Sequence, residues 1–566
     1  MKKLLPYIKD YTRDCILAPF LKLCEASLEL LVPLVIKAMI DNGIKGGQGT
    51  GYIVKMALVL VAFALVGLLF SVTAQYFSAR AATGFASRVR RAIFDKFMNL
   101  SFADIDMTGR TSMLNTMTSD TAQLQTGLNL ALRLFLRSPF VVFGAAIMAF
   151  TVNTEVAIVF VPVIVVLCVV VFGIMLYGVP LYKKAQARLD KILSTTLESL
   201  SGARVIRANR LEQKQIESYK EESEALLHRQ KIAAGFSSLL NPVTFIIINA
   251  GIIFALVIGN EKVTAGSMTT GEMVAIYGYL SQILVELIKM ASLIITMTKS
   301  FASASRIEAC LEKPDEKLGD ALISKGEGLD VEFKNVSFRY SGNMGDSLED
   351  VSFTAKKGES IGIIGSTGSG KTTLVNLVAG LYKAEGVYLG ARPIGEYTVK
   401  SLRESIGYVM QKAEIFRGSV RDNLKLRSLD AEDEELINAL RVADAYDFVM
   451  QKGGLDAQIT EGSLSGGQKQ RLSIARALVG RPSVIIFDDS SSALDYATDS
   501  RVRKAVGQLP WSPTCFTVSQ RTSSVMECDR IIVLDGGRAV GIGTHEELLC
   551  SCAVYKEIYD SQYKED

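Results

Sequence analysis

Gly365, Ser366, Thr367, Gly368, Ser369, Gly370, Lys371, Thr372 and Thr373 fit the pattern G-x-x-x-x-G-K-[ST]. Such a run cradles phosphates. Its glycines let backbone N–H groups turn inward onto phosphate oxygens, and the helix that follows adds partial positive charge at its N-terminus. Lys371 then reaches the β/γ phosphates, and the Thr372 hydroxyl can ligate Mg²⁺. The pattern requires a strand before it and a helix after it. Ser360-Ile361-Gly362-Ile363-Ile364 reads as the buried strand and Leu374-Val375-Asn376-Leu377-Val378 as the helix, so the stretch is expected to bind a nucleotide.

Two further stretches belong with that chemistry. Leu464-Ser465-Gly466-Gly467-Gln468 places a serine and two glycines before an expected helix, a second anion-binding turn. Val484-Ile485-Ile486-Phe487-Asp488 reads as a buried strand ending in an acid, the arrangement that holds Mg²⁺ opposite a phosphate loop.

These residues need elements to carry them, and the chain divides accordingly. At 566 residues it is too long for one core. It is 49% apolar, with the excess in the first three hundred residues, so that half is expected to be a membrane domain. A span needs about 20 predominantly apolar residues. Residues 56–79, 156–182 and 232–260 qualify outright, and 138–154 qualifies if its helix extends back through Arg133 and Arg137. Residues 15–40 and 273–298 are apolar but interrupted, the first by Lys22, Glu25, Glu29 and Lys37, the second by Glu286 and Lys289. Six spans are expected. Connections 80–110 and 183–231 are basic, which places them and both termini in the cytoplasm, with long helices running out of the membrane between them. Glu286 and Lys289, three apart, share a helix face, as do Glu25 and Glu29, four apart. These intramembrane charges suit either packing pairs or a polar translocation cavity.

Other signals exclude function classes. Lys+Arg 62 against Asp+Glu 59 leaves no electrostatic footprint for nucleic acid. The eight cysteines lack the spacing of a disulfide framework or zinc site. The basic start is not followed by an uninterrupted apolar stretch and a small-residue cleavage site, so no removable signal peptide is indicated. Trp511 and His545 carry no functional expectation.

The polar, Pro- and Gly-broken stretch 311–320 reads as a linker, and alternating β and α patterns follow it to the end. The expected organisation is therefore a membrane domain of six spans over 1–312, a linker over 313–328 and a nucleotide-binding domain over 329–566. The fold class is an α-helical membrane domain with long cytoplasmic extensions joined to an α/β P-loop NTPase domain.

With phosphate loop, LSGGQ and strand-terminal Asp488 in this order after six spans, the chain resembles ATP-binding cassette (ABC) half-transporters of the type IV exporter kind over its whole length. The resemblance implies an ATP-hydrolysing translocase using ATP and Mg²⁺. By that likeness Tyr340 stacks on adenine, Gln411 senses the γ-phosphate and joins Thr372 and Asp488 at the metal, and Asp495, in Ser492-Ala493-Leu494-Asp495, communicates between sites. Ser465, Gly466, Gly467 and Gln468 act on the nucleotide held by a second subunit. Thr118-Ser119-Asp120 and residues 198–207 look like the family's cytoplasmic coupling elements.

Departures from the family pattern fall in the hydrolytic site. The residue after the metal aspartate is usually glutamate; here it is Asp489, shorter by one methylene, about 1.5 Å of reach. Gln520 stands where the switch histidine is expected and cannot carry its positive charge toward the γ-phosphate. A segment before LSGGQ, Thr460-Glu461-Gly462-Ser463, looks shorter than usual. The expectation is a degenerate site that holds ATP and hydrolyses it slowly, in a heterodimer whose partner carries the standard Glu and His. The substrate class implied is amphipathic, drug-like molecules or lipids exported across the plasma (cell inner) membrane. The alternatives are a siderophore-type importer on the same fold and a regulatory subunit gated by ATP.

Overall fold

The computed structural model describes residues 3–317, 319–324, 326–460 and 462–563. The first two residues, Leu318, Lys325, Glu461 and the last three therefore lie outside it, and with Glu461 part of the short segment before LSGGQ. Two compact units emerge: Met1–Lys96 with Thr111–Glu312, and Phe97–Arg110 with Lys313–Asp566.

The first unit is helical. Among the described residues five helices are long and apolar enough to cross a membrane: Gly49–Met98, Arg110–Val152, Thr154–Ser201, Glu212–Thr264 and Thr270–Glu312. Fifty residues at 1.5 Å rise make Gly49–Met98 about 75 Å long, against a hydrocarbon core of about 30 Å, so it runs far beyond one bilayer. Its apolar stretch has no internal cover: Leu58, Leu65, Leu68, Leu69 and Val72 are all exposed. An apolar face of that extent suits lipid or the helices of another membrane subunit. Thr12–Ala38 has the length to span, at 27 residues, but carries Lys22, Glu25, Glu29 and Lys37 and is not among the five.

Without a hydrophobic drive between helices in lipid, small residues and polar contacts hold this unit together. Ala145, Ala149 and Ala275 are fully buried. A Cβ on Gly127 would come within 2.1 Å of Ser300 Oγ, so only glycine fits that crossing. Arg306 clasps Asp120 through Nε, 2.9 Å from Oδ2.

The intramembrane charges are paired. Arg137 donates to Glu286 Oε1 and Glu29 Oε2, each at 2.5 Å. Glu286 also accepts from Ser138 Oγ at 2.8 Å and Lys289 Nζ at 2.9 Å. Lys22 donates to Glu25 at 2.6 Å and Ser71 at 2.9 Å. Glu286 and Lys289 thus do share a face, but Glu25 and Glu29 take separate partners.

The second unit is α/β. Its main sheet has the order Arg538–Gly543, Arg530–Asp535, Ser360–Gly365, Thr514–Val518, Val484–Asp488, Ile406–Val409. All neighbours are parallel except the first pair. Strands of a parallel sheet are buried on both faces and read as continuous apolar runs, as in Val484–Asp488, buried at every position. A smaller antiparallel sheet, Leu348–Ala355, Val331–Phe338, Val387–Leu389 and Arg392–Pro393, packs beside it in one core.

Residues 97–110, inserted between helices of the membrane unit, belong to this second unit. They carry the short helix Phe102–Thr108, capped by Ser101, whose Oγ accepts from Asp104 N. The Phe102 ring lies between the Tyr382 ring, 6.3 Å away, and the Arg403 guanidinium at 5.4 Å. Tyr382 Oη donates to Asp106 Oδ2 at 2.5 Å. The stretch after Glu312 closes on the same helix: Lys313 Nζ donates to Thr108 Oγ1 at 2.6 Å, and Glu316 N to Asn99 O at 2.7 Å.

Candidate functional site

Ligands in open parallel sheets bind beyond the carboxyl ends of the strands. Here Ser360–Gly365 and Val484–Asp488 deliver the phosphate loop and Asp488 to that edge, with Thr514–Val518 between them. With strand spacings of about 4.8 Å the two strands run roughly 10 Å apart, so the loop and Asp488 meet at the same edge of the sheet. Lys371–Val378 is the helix after the loop. Gly370 precedes it at φ +99°, where a Cβ would meet Ser347 O at 2.6 Å, so both dihedral and space demand glycine.

A cavity of about 660 Å³ opens there. It is lined by Thr367, Gly368, Gly370, Lys371, Thr372 and Thr373 from the loop, by Asp488 at the end of its strand, and by Gln411, Asp489 and Gln520 just past the ends of three strands. Gly365 and Ser366 lend it their carbonyls instead: Lys371 Nζ donates to Gly365 O at 2.8 Å and Ser366 O at 2.6 Å. Ser369 is buried, and its Oγ has no partner among the described residues. Burial pushes the Lys371 ammonium down from its ordinary pKa, against the opposing pull of Asp489 and Asp488. A phosphate would add a direct countercharge to that of those two carboxylates.

Thr372 Oγ1 donates to Asp488 Oδ1 at 3.1 Å. The Tyr408 hydroxyl lies 3.1 Å from Asp488 Oδ2 and 2.9 Å from Asn376 Oδ1. Burial raises the Asp488 carboxyl, with the Tyr408 and Thr372 bonds working the other way. Hydroxyl and carboxylate oxygens converging on a phosphate cradle are hard donors of the kind Mg²⁺ takes alongside phosphates and water.

Asp489 has a left-handed backbone, φ +48°, and its Oδ2 accepts from Gln411 Nε2 at 3.0 Å. Gln520 shares the cavity wall, and its carbonyl is held by Gln562 Nε2 at 2.8 Å. Both residues that depart from the family pattern thus sit beside Lys371 and Thr372.

Other expected residues lie apart from this cavity. Ser465 caps the helix Gly466–Leu478 in a box with Gln468: its Oγ accepts from Gln468 N, and its own N–H donates back to Gln468 Oε1. Ser465 and Gly466 are exposed, Gly467 and Gln468 half-buried. Asp495 caps Tyr496–Gly507, accepting from Thr498 N at 2.9 Å. Thr118-Ser119-Asp120 lies in the membrane unit, where Asp120 is taken by Arg306.

Tyr340 lines a neighbouring cavity of about 760 Å³, with Phe338, Tyr382, Asp104 and Asp106. Tyr340 and Tyr382 meet edge to face at 5.0 Å. Burial first, then Asp106, pushes the Tyr382 phenol upward. Sequence reasoning passed over Tyr382, Tyr408 and the helix Phe102–Thr108. Tyr408 stands three residues before Gln411 and could have been found by following its strand; Tyr382 and Phe102 follow no local pattern. His545, in neither cavity's lining, pairs its Nδ1 with Tyr555 Oη at 2.7 Å.

Comparison with known proteins gives consistent matches along the chain. Residues 15–287 match the model for the ABC transporter transmembrane region, and residues 348–492 the model for ABC transporter. The uncharacterized ABC transporter ATP-binding protein YfiB of Bacillus subtilis is 30% identical over all of this chain and 99% of its own length. The probable multidrug resistance ABC transporter ATP-binding/permease protein YheI of the same organism is 34% identical over 67% of this chain and 66% of that protein. A bacterial Atm1-family ABC exporter with ATP bound shares the fold, with a TM-score of 0.84 over 98% of this chain and 99% of that one at 22% identity.

Proposed function

This chain belongs to the ABC transporter family, and from that premise we propose that it is one subunit of a heterodimeric exporter whose own phosphate site holds ATP and hydrolyses it slowly. The family and the type IV exporter fold make it an ATP-hydrolysing transporter acting in a membrane. The observation that carries the narrower reading is the shared wall of one cavity: Lys371 and Thr372 there face Asp489 and Gln520, not a glutamate and a histidine.

Lys371 and the loop amides would bind the phosphates, and Thr372, Asp488 and Gln411 are the residues that would hold Mg²⁺. Mg²⁺ held there would supply charge neutralisation for the phosphates. Asp489 carries the carboxylate that would orient the attacking water, but its reach is shorter and Gln411 already occupies one of its oxygens. Gln520 offers an amide with no positive charge. A positioned general base is worth about 10²–10⁴-fold, so these losses leave binding and take most of the turnover.

The Ser465–Gln468 turn, exposed at Ser465 and Gly466 and outside the lining of this chain's own phosphate cavity, suits the nucleotide of a second subunit with standard Glu and His residues. Lys22, Glu25, Glu29 and Lys37 on Thr12–Ala38 are compatible with a sixth span inside the bundle, and the basic connections keep both termini and the nucleotide-binding domain cytoplasmic at the cell's inner membrane. YheI's name points to multidrug-type substrates, in keeping with amphipathic cargo. The test is ATPase activity of the purified chain with and without the product of an adjacent related gene. Slow turnover alone and fast turnover together is expected; robust activity from this chain alone would sink the reading.

A further inference from the structure

The phosphate cavity contains no aromatic ring. The cavity beside it contains three, Phe338, Tyr340 and Tyr382, and the two share Asn343 as a common wall. A nucleotide has a charged phosphate tail and a planar, largely apolar base, so the pair of cavities accepts it in one order only: phosphates on Lys371, base among the tyrosines. The second cavity has an unusual far wall. Ser101, Ala103, Asp104 and Asp106 form part of it, from the segment that joins two helices of the membrane unit.

Tyr382 connects base cavity to segment. Its ring meets Tyr340 edge to face at 5.0 Å and tilts against Phe102 at 6.3 Å. Its hydroxyl donates to Asp106 Oδ2 at 2.5 Å. We propose that Tyr382 is a positioning residue that makes the helix Phe102–Thr108 sense the purine base: a base stacked on Tyr340 fixes that ring, the fixed ring restricts Tyr382, and Tyr382 holds Asp106. Phosphate binding alone does not reach this segment by that route. This rests on the nucleotide reading of the site and adds to it a path from the base to residues 97–110.

The experiment is hydrogen exchange on the full chain in detergent, with Mg²⁺-ATP or with Mg²⁺-tripolyphosphate, which has the phosphates but no base. Both are expected to protect residues 366–374. Only ATP is expected to slow exchange over residues 99–110, by about tenfold. Tyr382→Phe and Asp106→Ala should each abolish the ATP-dependent part of that protection, while Asp106→Asn, which keeps an acceptor, should retain it. A purely structural role for Tyr382 would change exchange equally with and without ATP. Equal protection of 99–110 by tripolyphosphate, or undiminished ATP protection in Tyr382→Phe, overturns the proposal. Failure of ATP to protect 366–374 would instead overturn the nucleotide reading beneath it.

Discussion

At the scale of the residue, the question is what one methylene and one charge are worth. Asp489 keeps the carboxylate but shortens its arm, and Gln520 keeps a polar group but cannot be cationic. If those two differences slow turnover as proposed, Asp489→Glu with Gln520→His should raise ATP hydrolysis at this chain's own site by about 10²-fold or more. Phosphate release by the purified chain measures it, and an unchanged rate would place the defect elsewhere. Nucleotide affinity should barely move, because Lys371, Thr372 and Asp488 are untouched. This part of the site was legible because its chemistry is local: nine consecutive residues make the loop, and one strand ends in Asp488. Tyr382 and Asp106 stayed hidden for the opposite reason. Each is an ordinary residue in an ordinary stretch, and only folding brings together positions 276 apart.

Elements show the same division. Buried parallel strands announce themselves as apolar runs, and the cassette's α/β character could be read from them. The helix Phe102–Thr108 could not, because its seven residues carry no long periodicity and its attachment comes from Arg403, Tyr382 and Lys313, all distant in sequence. Gly370 is the joint on which the phosphate-loop helix turns. Gly370→Ala combines a left-handed backbone with a clash on Ser347 O, a strain of about 1–3 kcal/mol. The expected outcome is a sharp loss of ATP binding in a filtration or fluorescence assay, with the distant helix Tyr496–Gly507 unaffected.

In the membrane unit, Arg137 joins three helices, since Glu29 lies on Thr12–Ala38 and Glu286 on Thr270–Glu312. The paired charge on Glu286 and Lys289 was readable from their spacing, but Arg137, 149 residues from Glu286, was not recognised as the common partner of Glu286 and Glu29. Glu286 is buried, so Arg137→Ala strips a buried carboxylate of one of its two paired cations and should cost about 3–5 kcal/mol. Arg137→Met with Glu286→Gln removes both charges and should recover most of that stability. Thermal unfolding in detergent distinguishes them: equal losses in the single and double variants would mean that packing, not charge, holds this junction.

At the scale of the whole molecule, the proposed division of labour makes the two halves of the ATP machinery unequal in consequence. Lys371 serves the nucleotide this chain holds; Ser465 serves the one a partner holds. Substitutions in a single chain can therefore separate the two sites. In the assembled transporter, Ser465→Arg in this chain should remove most ATP turnover, because it blocks the site with the intact glutamate and histidine. Lys371→Ala should weaken ATP binding at the slow site and lower total hydrolysis far less. A symmetric machine with two equal sites would respond similarly to both changes. Steady-state hydrolysis of the two variants, each beside an unaltered partner, decides between the arrangements, and similar losses from both substitutions would mean that the site marked by Asp489 and Gln520 turns over as fast as the other.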